Sequence, residues 1–360
     1  MPPVVRLLLT AAVLLALALP ATASAKPPPG FVGISADDVG LRIGAYRDKA
    51  LSMQRSAGVQ LIRTGFFWNQ MEVAPGSFAF GPTDQYVLDA ARRGITFLPI
   101  LFRAPDFYST KPAVGATRFA YPPRDNADMA RWAMLLVDRY GPNGSLWQEN
   151  PSVPKRAIRS WQIWNEPNLS QYWQPRPNAR QYLSMLRTVG AAIKSRDPQA
   201  EIVTAGMPDS FQKSAIRLAP YLKDLYRGGG TSAFDTVAIN SYAVTPNYLV
   251  KLMNTTRKNL NRFGGRSDKI WITEVGWCDT GVKHRFCVGK RQPKYTTQAL
   301  SLIKQKRRAW KLRGFVWFSW RDGRPYVRGK DFWGNHAGLL TIKGKKKAAY
   351  NAFVRGVKRF

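Results

Sequence analysis

Eight short runs of apolar and β-branched residues punctuate this chain, and a stretch of helical periodicity follows most of them. The runs are Phe31–Ser35, Val59–Gly65, Ile95–Leu101, Ile158–Trp164, Glu201–Ala205, Asp235–Ser241, Lys269–Glu274 and Gly314–Ser319. Their interiors are nearly continuous in apolar character rather than alternating. That is the pattern of parallel strands covered on both faces. The clearest helical pattern runs over 179–194, where Ala179, Tyr182, Leu183, Leu186, Val189 and Ile193 recur in steps of three and four and form one apolar stripe. Asn178 is placed to cap it, with Gln181 three residues on as its capping partner. A second helix is expected over 296–312, with Ala299, Leu302, Ile303 and Trp310 inward and Lys304, Lys306, Arg307, Arg308 and Lys311 outward. A last one is expected near 348–357. Eight strands alternating with helices predict an α/β fold, a single (β/α)₈ TIM barrel over 31–360. The sequence shows no second domain, internal repeat or low-complexity block.

The N-terminus reads differently. After Arg6, an apolar run from Leu7 to Leu19 leads to Ala23-Ser24-Ala25, a small-x-small cleavage signature. Residues 1–25 are expected to be a secretory signal peptide, and the run is short for an uncleaved membrane anchor, the other reading. Residues 26–30, Lys-Pro-Pro-Pro-Gly, form a short stiff leader. The expected product is exported, free of the membrane after cleavage, and a monomer. A chain of this size can bury a large core without disulfides. The two cysteines, Cys278 and Cys287, stand close together. In an exported protein a disulfide is the natural pairing. A metal site with Asp279 and His284 is the alternative, although the spacing matches no metal motif.

The formal net charge is +33, which predicts attraction to anionic polymers. Charge of this kind informs on non-specific association rather than chemistry, so it designates no specific nucleic-acid partner. The basic turn Lys343-Gly344-Lys345-Lys346-Lys347 is read as a solvated surface.

The chemistry lies at the strand ends. Trp164-Asn165-Glu166-Pro167 closes the fourth run, and Trp271-Ile272-Thr273-Glu274 closes the seventh. In a (β/α)₈ barrel, catalytic groups stand at the C-terminal ends of strands. Two carboxyl groups delivered there to one pocket are what glycosidic cleavage needs, one protonating the leaving oxygen and the other attacking the anomeric carbon or activating water. An acid closing an apolar strand is costly to bury unless it is used or paired. Arg63, near the end of the second strand, is placed to hold Glu274 anionic. The amide of Asn165 is placed to bond a sugar hydroxyl. Long segments after strand ends, 102–124, 275–292 and 321–343, are expected to build a cleft.

On these residues the chain resembles the clan A glycoside hydrolases, a retaining (β/α)₈ group, with family 39 and family 5 the most similar branches. The resemblance runs from about Phe31 to the C-terminus. It implies Glu166 as acid/base beside Asn165, Glu274 as nucleophile and Arg63 as the strand-two arginine. It implies Tyr242 as the tyrosine bonding the nucleophile and Trp320 as the aromatic floor of the sugar site. Asn240-Ser241-Tyr242 stands where many relatives have His-Pro-Tyr, and Phe107 where a tryptophan is frequent. Those positions shape subsites, so they bear on the sugar rather than the reaction. Asn240 is counted with the substrate-binding residues.

Among the tryptophans near strand ends, Trp68, Trp173, Trp277, Trp317, Trp320 and Trp333, about half are expected in the core. Trp320 and then Trp277 are the expected sugar platforms, because flat aromatic faces suit pyranose rings. Asp37 and Asp38 follow the first strand and either bond sugar hydroxyls or cap the first helix. His336 is expected on the rim. The sequon Asn168-Leu169-Ser170 lies two residues past Glu166, where a glycan would obstruct the cleft. The expected activity is hydrolysis of O-glycosidic bonds in a carbohydrate, with no metal and no cofactor. A non-catalytic binder of acidic polysaccharide and a transglycosylase using the same residues are the alternatives.

Overall fold

A computed structural model describes residues 27–40, 42–116, 120–325 and 331–360. The expected signal segment, 1–25, lies outside the described residues. Eight parallel strands close into a barrel: β1 (Val32–Ser35), β2 (Leu61–Phe67), β3 (Thr96–Phe102), β4 (Ser160–Ile163), β5 (Glu201–Val203), β6 (Thr236–Asn240), β7 (Lys269–Val275) and β8 (Leu312–Trp317). Each pairs with its sequence neighbours, and β1 closes the ring against β8. The chain thus has the (β/α)₈ architecture that its apolar runs predict, and each expected strand is present. Among the described residues no helix is long and apolar enough to cross a membrane.

Strand boundaries shift by a few residues for local reasons. Val59 was expected to open the second strand, but its N–H donates to Gln54 O at 3.0 Å and closes the preceding helix. Ser319 was expected in the last strand. Its N–H turns instead to Ala337 O at 3.2 Å, so β8 ends at Trp317 and the chain enters the rim. A two-stranded antiparallel hairpin, Glu72–Ala74 with Ser77–Phe78, follows β2 and was not foreseen.

The helix Ala179–Arg196 buries the predicted stripe. Asn178 Oδ1 accepts from the backbone N–H groups of Arg180 and Gln181, both at 3.1 Å. Gln181 does not complete a capping box, because its side chain accepts from Trp173 Nε1 at 3.3 Å. The helix expected over 296–312 is Gln292–Lys306, and Arg307, expected outward, is buried. Inside the barrel, Leu61, Leu98, Val203, Ala238, Trp271 and Val316 form a compact cluster. It plugs the lower interior with apolar side chains, of which the valines and leucines each stabilise the fold by about 1.5–3 kcal/mol on full burial. Polar side chains are therefore confined to the two ends of the barrel.

Candidate active site

At the C-terminal end of the strands, one arginine organises the site. Arg63, in β2, is 2% exposed and uses three nitrogens. Nε donates to Gln162 Oε1 at 2.7 Å, Nη1 to Glu274 Oε1 at 2.8 Å and Nη2 to Asn165 Oδ1 at 2.9 Å. The planar guanidinium fork fixes β2, β4 and β7 against one another. Glu274 is further held by Tyr242, whose hydroxyl donates to Oε2 in a short hydrogen bond. Burial first, then the charges of Glu274 and Glu166, raise the Tyr242 phenol well above its ordinary pKa, so it remains a donor.

Asn240, at the end of β6, joins the two acids. Its Nδ2 donates to Glu166 Oε1 at 2.6 Å and to Glu274 Oε1 at 3.1 Å. Both bonds end on one nitrogen, so these two oxygens lie at most 5.7 Å apart, the sum of the two lengths. Its Oδ1 in turn accepts from Thr273 Oγ1 at 2.9 Å, which fixes the orientation of the amide. Gly206 makes room for this crossing: a Cβ there would stand 2.3 Å from Asn240 Oδ1.

Glu166 sits on a tight turn beyond β4. Trp164 and Glu166 both have left-handed backbones, with φ of 69° and 45°. Each such non-glycine residue costs on the order of 1 kcal/mol or more and persists only where its surroundings fix it. Here Trp164 N–H donates to Leu101 O at 2.9 Å and Glu166 N–H to Gly206 O at 3.2 Å, while the Trp164 indole donates to Tyr172 O at 2.6 Å. The turn aims the carboxyl at the barrel axis. Burial, then the charge of Glu274, push Glu166 up to about 8, against smaller lowering by the Asn240 bond and Arg63. At neutral pH Glu166 is therefore mainly protonated. Its second oxygen has no hydrogen-bond partner among the described residues.

Both acids open into a cleft of about 580 Å³. Arg63, Asn165, Glu166, Tyr242 and Glu274, five of the site residues expected from sequence, line it together. Three others do not. Asn240 is fully buried and its amide is committed to Glu166, Glu274 and Thr273, so it bridges the two carboxyl groups from beneath the cleft lining. Trp277 is 1% exposed; its indole donates to Ala243 O at 2.6 Å and its ring packs on Tyr295 and Trp317. Trp320 is 0% exposed and packs against Tyr350 in the helix Ala348–Val357. Both tryptophans face the helical layer because the chain beyond β7 and β8 turns outward at these positions. The aromatic lining instead includes Phe67, Phe102, Phe318, Trp333 and Tyr242, with Tyr172, Phe211, Phe286 and Phe332 beside them. Trp333 is the one tryptophan of the six considered that reaches the cleft. Phe102 and Phe318 were legible as strand-end aromatics, but their direction was not.

Cys278 and Cys287 form a disulfide. It closes the loop that brings His284, Arg285 and Phe286 to the cleft wall, where His284 stacks on Trp333 at 5.7 Å between ring centres. Burial, then Arg285, lower the His284 pKa from its ordinary value. His336 lies behind the wall, bonded to Asp331 at 2.6 Å. Asp37 lines the cleft and accepts from Thr64 Oγ1 at 2.8 Å, while Asp38 is turned away toward Tyr46. Asn168 of the sequon is fully buried, and its amide donates to Pro208 O and Ile216 O, both at 2.9 Å. A glycan cannot be attached there in the folded chain.

No known protein family and no curated protein matches this sequence. Solved structures do match its fold. A family 39 glycoside hydrolase from Bacteroides cellulosilyticus WH2 superposes with a TM-score of 0.65 at 19% identity, over 91% of this chain and 63% of that one. A monomeric β-xylosidase from Caulobacter crescentus CB15 gives 0.65 at 17%, over 92% and 68%. An exo-β-1,4-mannosidase from Opitutaceae bacterium strain TAV5 gives 0.62 at 16%, over 92% and 61%. The chain thus spans about two thirds of the length of these proteins, and with them it shares the (β/α)₈ barrel.

Proposed function

We propose that this chain is a retaining glycoside hydrolase in which Glu274 is the nucleophile and Glu166 the acid/base. The observation that carries the reading is the amide nitrogen of Asn240 bonded to both carboxyl groups. It holds the nearest oxygens at most 5.7 Å apart, which is compatible with the close spacing of a retaining pair, about 5–5.5 Å, and short of the roughly 6.5 Å or more that an inverting pair leaves for water. The similarity of fold to glycoside hydrolases supports the same reading.

The roles follow from the surroundings of each acid. Glu274 receives Arg63, Asn240 and Tyr242, three donors that favour a carboxylate. Its attack on the anomeric carbon forms a glycosyl ester. Glu166 carries the proton that the departing oxygen takes, and in the second step it removes a proton from the attacking water. Once Glu274 is esterified its charge is gone. The Glu166 pKa then falls, which suits the change from acid to base. Asn165, whose Oδ1 is tied to Arg63, keeps its amide N–H groups for a sugar hydroxyl. Phe67, Phe102, Phe318 and Trp333 offer apolar faces to the rings. The substrate class is a poly- or oligosaccharide, and export of the protein, read from residues 1–25, suits such a substrate.

Azide rescue tests the assignment. Glu274→Gly should be inactive on aryl glycosides, and azide should restore release of the aryl group with a glycosyl azide of inverted configuration. Glu166→Ala with azide should give the retained anomer. Rescue with the same anomer in both variants would overturn the roles.

A further inference from the structure

Of the three arginines that line the cleft, Arg63 is the one bonded to a glutamate of the pair. Besides Arg63, two arginines line it, Arg103 after β3 and Arg285 in the disulfide loop after β7. Two further acids, Asp37 and Asp209, also line it. Asp209 is taken up by Arg217, through bonds of 2.6 Å from both Nε and Nη2, and by the backbone N–H of Leu218. Asp37 accepts from Thr64. Neither Arg103 nor Arg285 forms an ion pair among the described residues. Both are exposed.

Both guanidinium groups are nevertheless placed by aromatic rings. Arg103 Cζ lies 5.3 Å from the centre of Phe67 and 5.8 Å from that of Phe102. Arg285 Cζ lies 5.0 Å from Phe286 and 5.7 Å from Phe211. A guanidinium over a ring is held in place while its in-plane N–H fork stays available to a carboxylate. Arg103 has a left-handed backbone, φ 63°, an arrangement disfavoured for any side chain bearing a Cβ and concentrated at functional positions. The two arginines come from different strand-end segments, those after β3 and β7, and both line the one cleft.

We infer that Arg103 and Arg285 are carboxylate-binding groups and that the substrate is an acidic polysaccharide carrying uronic acid residues. The inference rests on the glycosidase reading for its reaction and on these two side chains for its specificity. The net charge of +33 adds long-range attraction for such a polymer, while the paired arginines supply local recognition.

The test compares one polymer in two forms. Oligosaccharides of glucuronoxylan, hyaluronan and polygalacturonate are each taken native and after carboxyl reduction, which leaves backbone and linkage unchanged. Binding is measured by calorimetry on the Glu274→Gln protein in about 0.15 M salt, where distant surface charge is screened. At least one native oligosaccharide should bind on the order of ten- to a hundredfold more tightly than its reduced form. Adding Arg103→Gln and Arg285→Gln should abolish that preference, although they remove only two of the chain's many cations, and Arg→Lys at both positions should restore part of it. Equal binding of the two forms, binding of neither, or a preference that survives the double substitution would each overturn the inference. If the unsubstituted protein cleaves no glycoside while the preference stands, the hydrolase reading fails and the acid-sugar site remains.

Discussion

The barrel carries an arginine paired with a glutamate at each end, and the two ends behave differently. At the N-terminal end, Glu201 of β5 accepts from Ser160 and Thr236, both at 2.6 Å, and pairs with Arg313 of β8 at 3.2 Å. One carboxylate meets one cation and two hydroxyls, and each oxygen is used. At the C-terminal end, Arg63 faces two carboxyl groups, Glu274 directly and Glu166 through the Asn240 amide. One cation cannot balance two buried anions, so one acid keeps its proton. The same residue types give a structural lock where charges match and, on the proposed reading, a reactive centre where they do not.

The largest effect should come from removing the matched member of the upper pair. Glu274→Gln should lower kcat by about 10⁴-fold or more while the thermal midpoint stays near that of the parent, read by steady-state kinetics and calorimetry. A comparable loss in Glu201→Gln would erase the contrast between the two ends. Arg63→Lys keeps the charge but cannot span Gln162, Glu274 and Asn165 together. It should cost about 10²-fold in kcat, more than in KM.

The pH dependence sharpens the contrast further. With Glu166 at about 8, kcat/KM should fall tenfold per unit on the alkaline side of that value as the acid loses its proton. Stability should move with it. The folded chain holds this proton up to about 8, whereas the ordinary value is 4.5, so folding is favoured less as pH rises through that window. Glu166→Gln should remove this drift, and its thermal midpoint should gain on the parent's between pH 5 and 8.5. Glu201→Gln should leave kcat unchanged and cost about 1–2 kcal/mol of stability. At the rim, Cys278→Ser with Cys287→Ser should raise KM a few-fold and cost at most about 2–3 kcal/mol.

Much of this was legible in the chain because buried parallel strands have a distinctive composition. Glu166, Glu274 and Arg63 stood out because a charged residue closing an apolar run has few other uses, and Tyr242 through the resemblance to the clan A enzymes. Asn240 was reached only as a departure from the family pattern and counted with the substrate-binding residues, whereas its amide is bonded to both carboxyl groups. Whether an amide faces a sugar or bridges two acids depends on the space left by Gly206, thirty-four residues earlier. Trp277 and Trp320 were misplaced for a related reason. One or two residues past a strand end, the path of the loop decides whether a side chain faces the axis or the helices, and periodicity carries no information there. The pairing of Arg103 with Phe67 and Phe102 joins different strands and was likewise invisible.

The shared Asn240 nitrogen has a consequence for anyone wishing to retune this protein. The proposed nucleophile, Glu274, and the proposed acid, Glu166, hang from a single peg. A substitution that displaces the amide withdraws a donor from both at once, and both limbs of an activity profile should move together rather than separately. The Thr273 hydroxyl that braces this amide is therefore a handle on both carboxyl groups that touches neither.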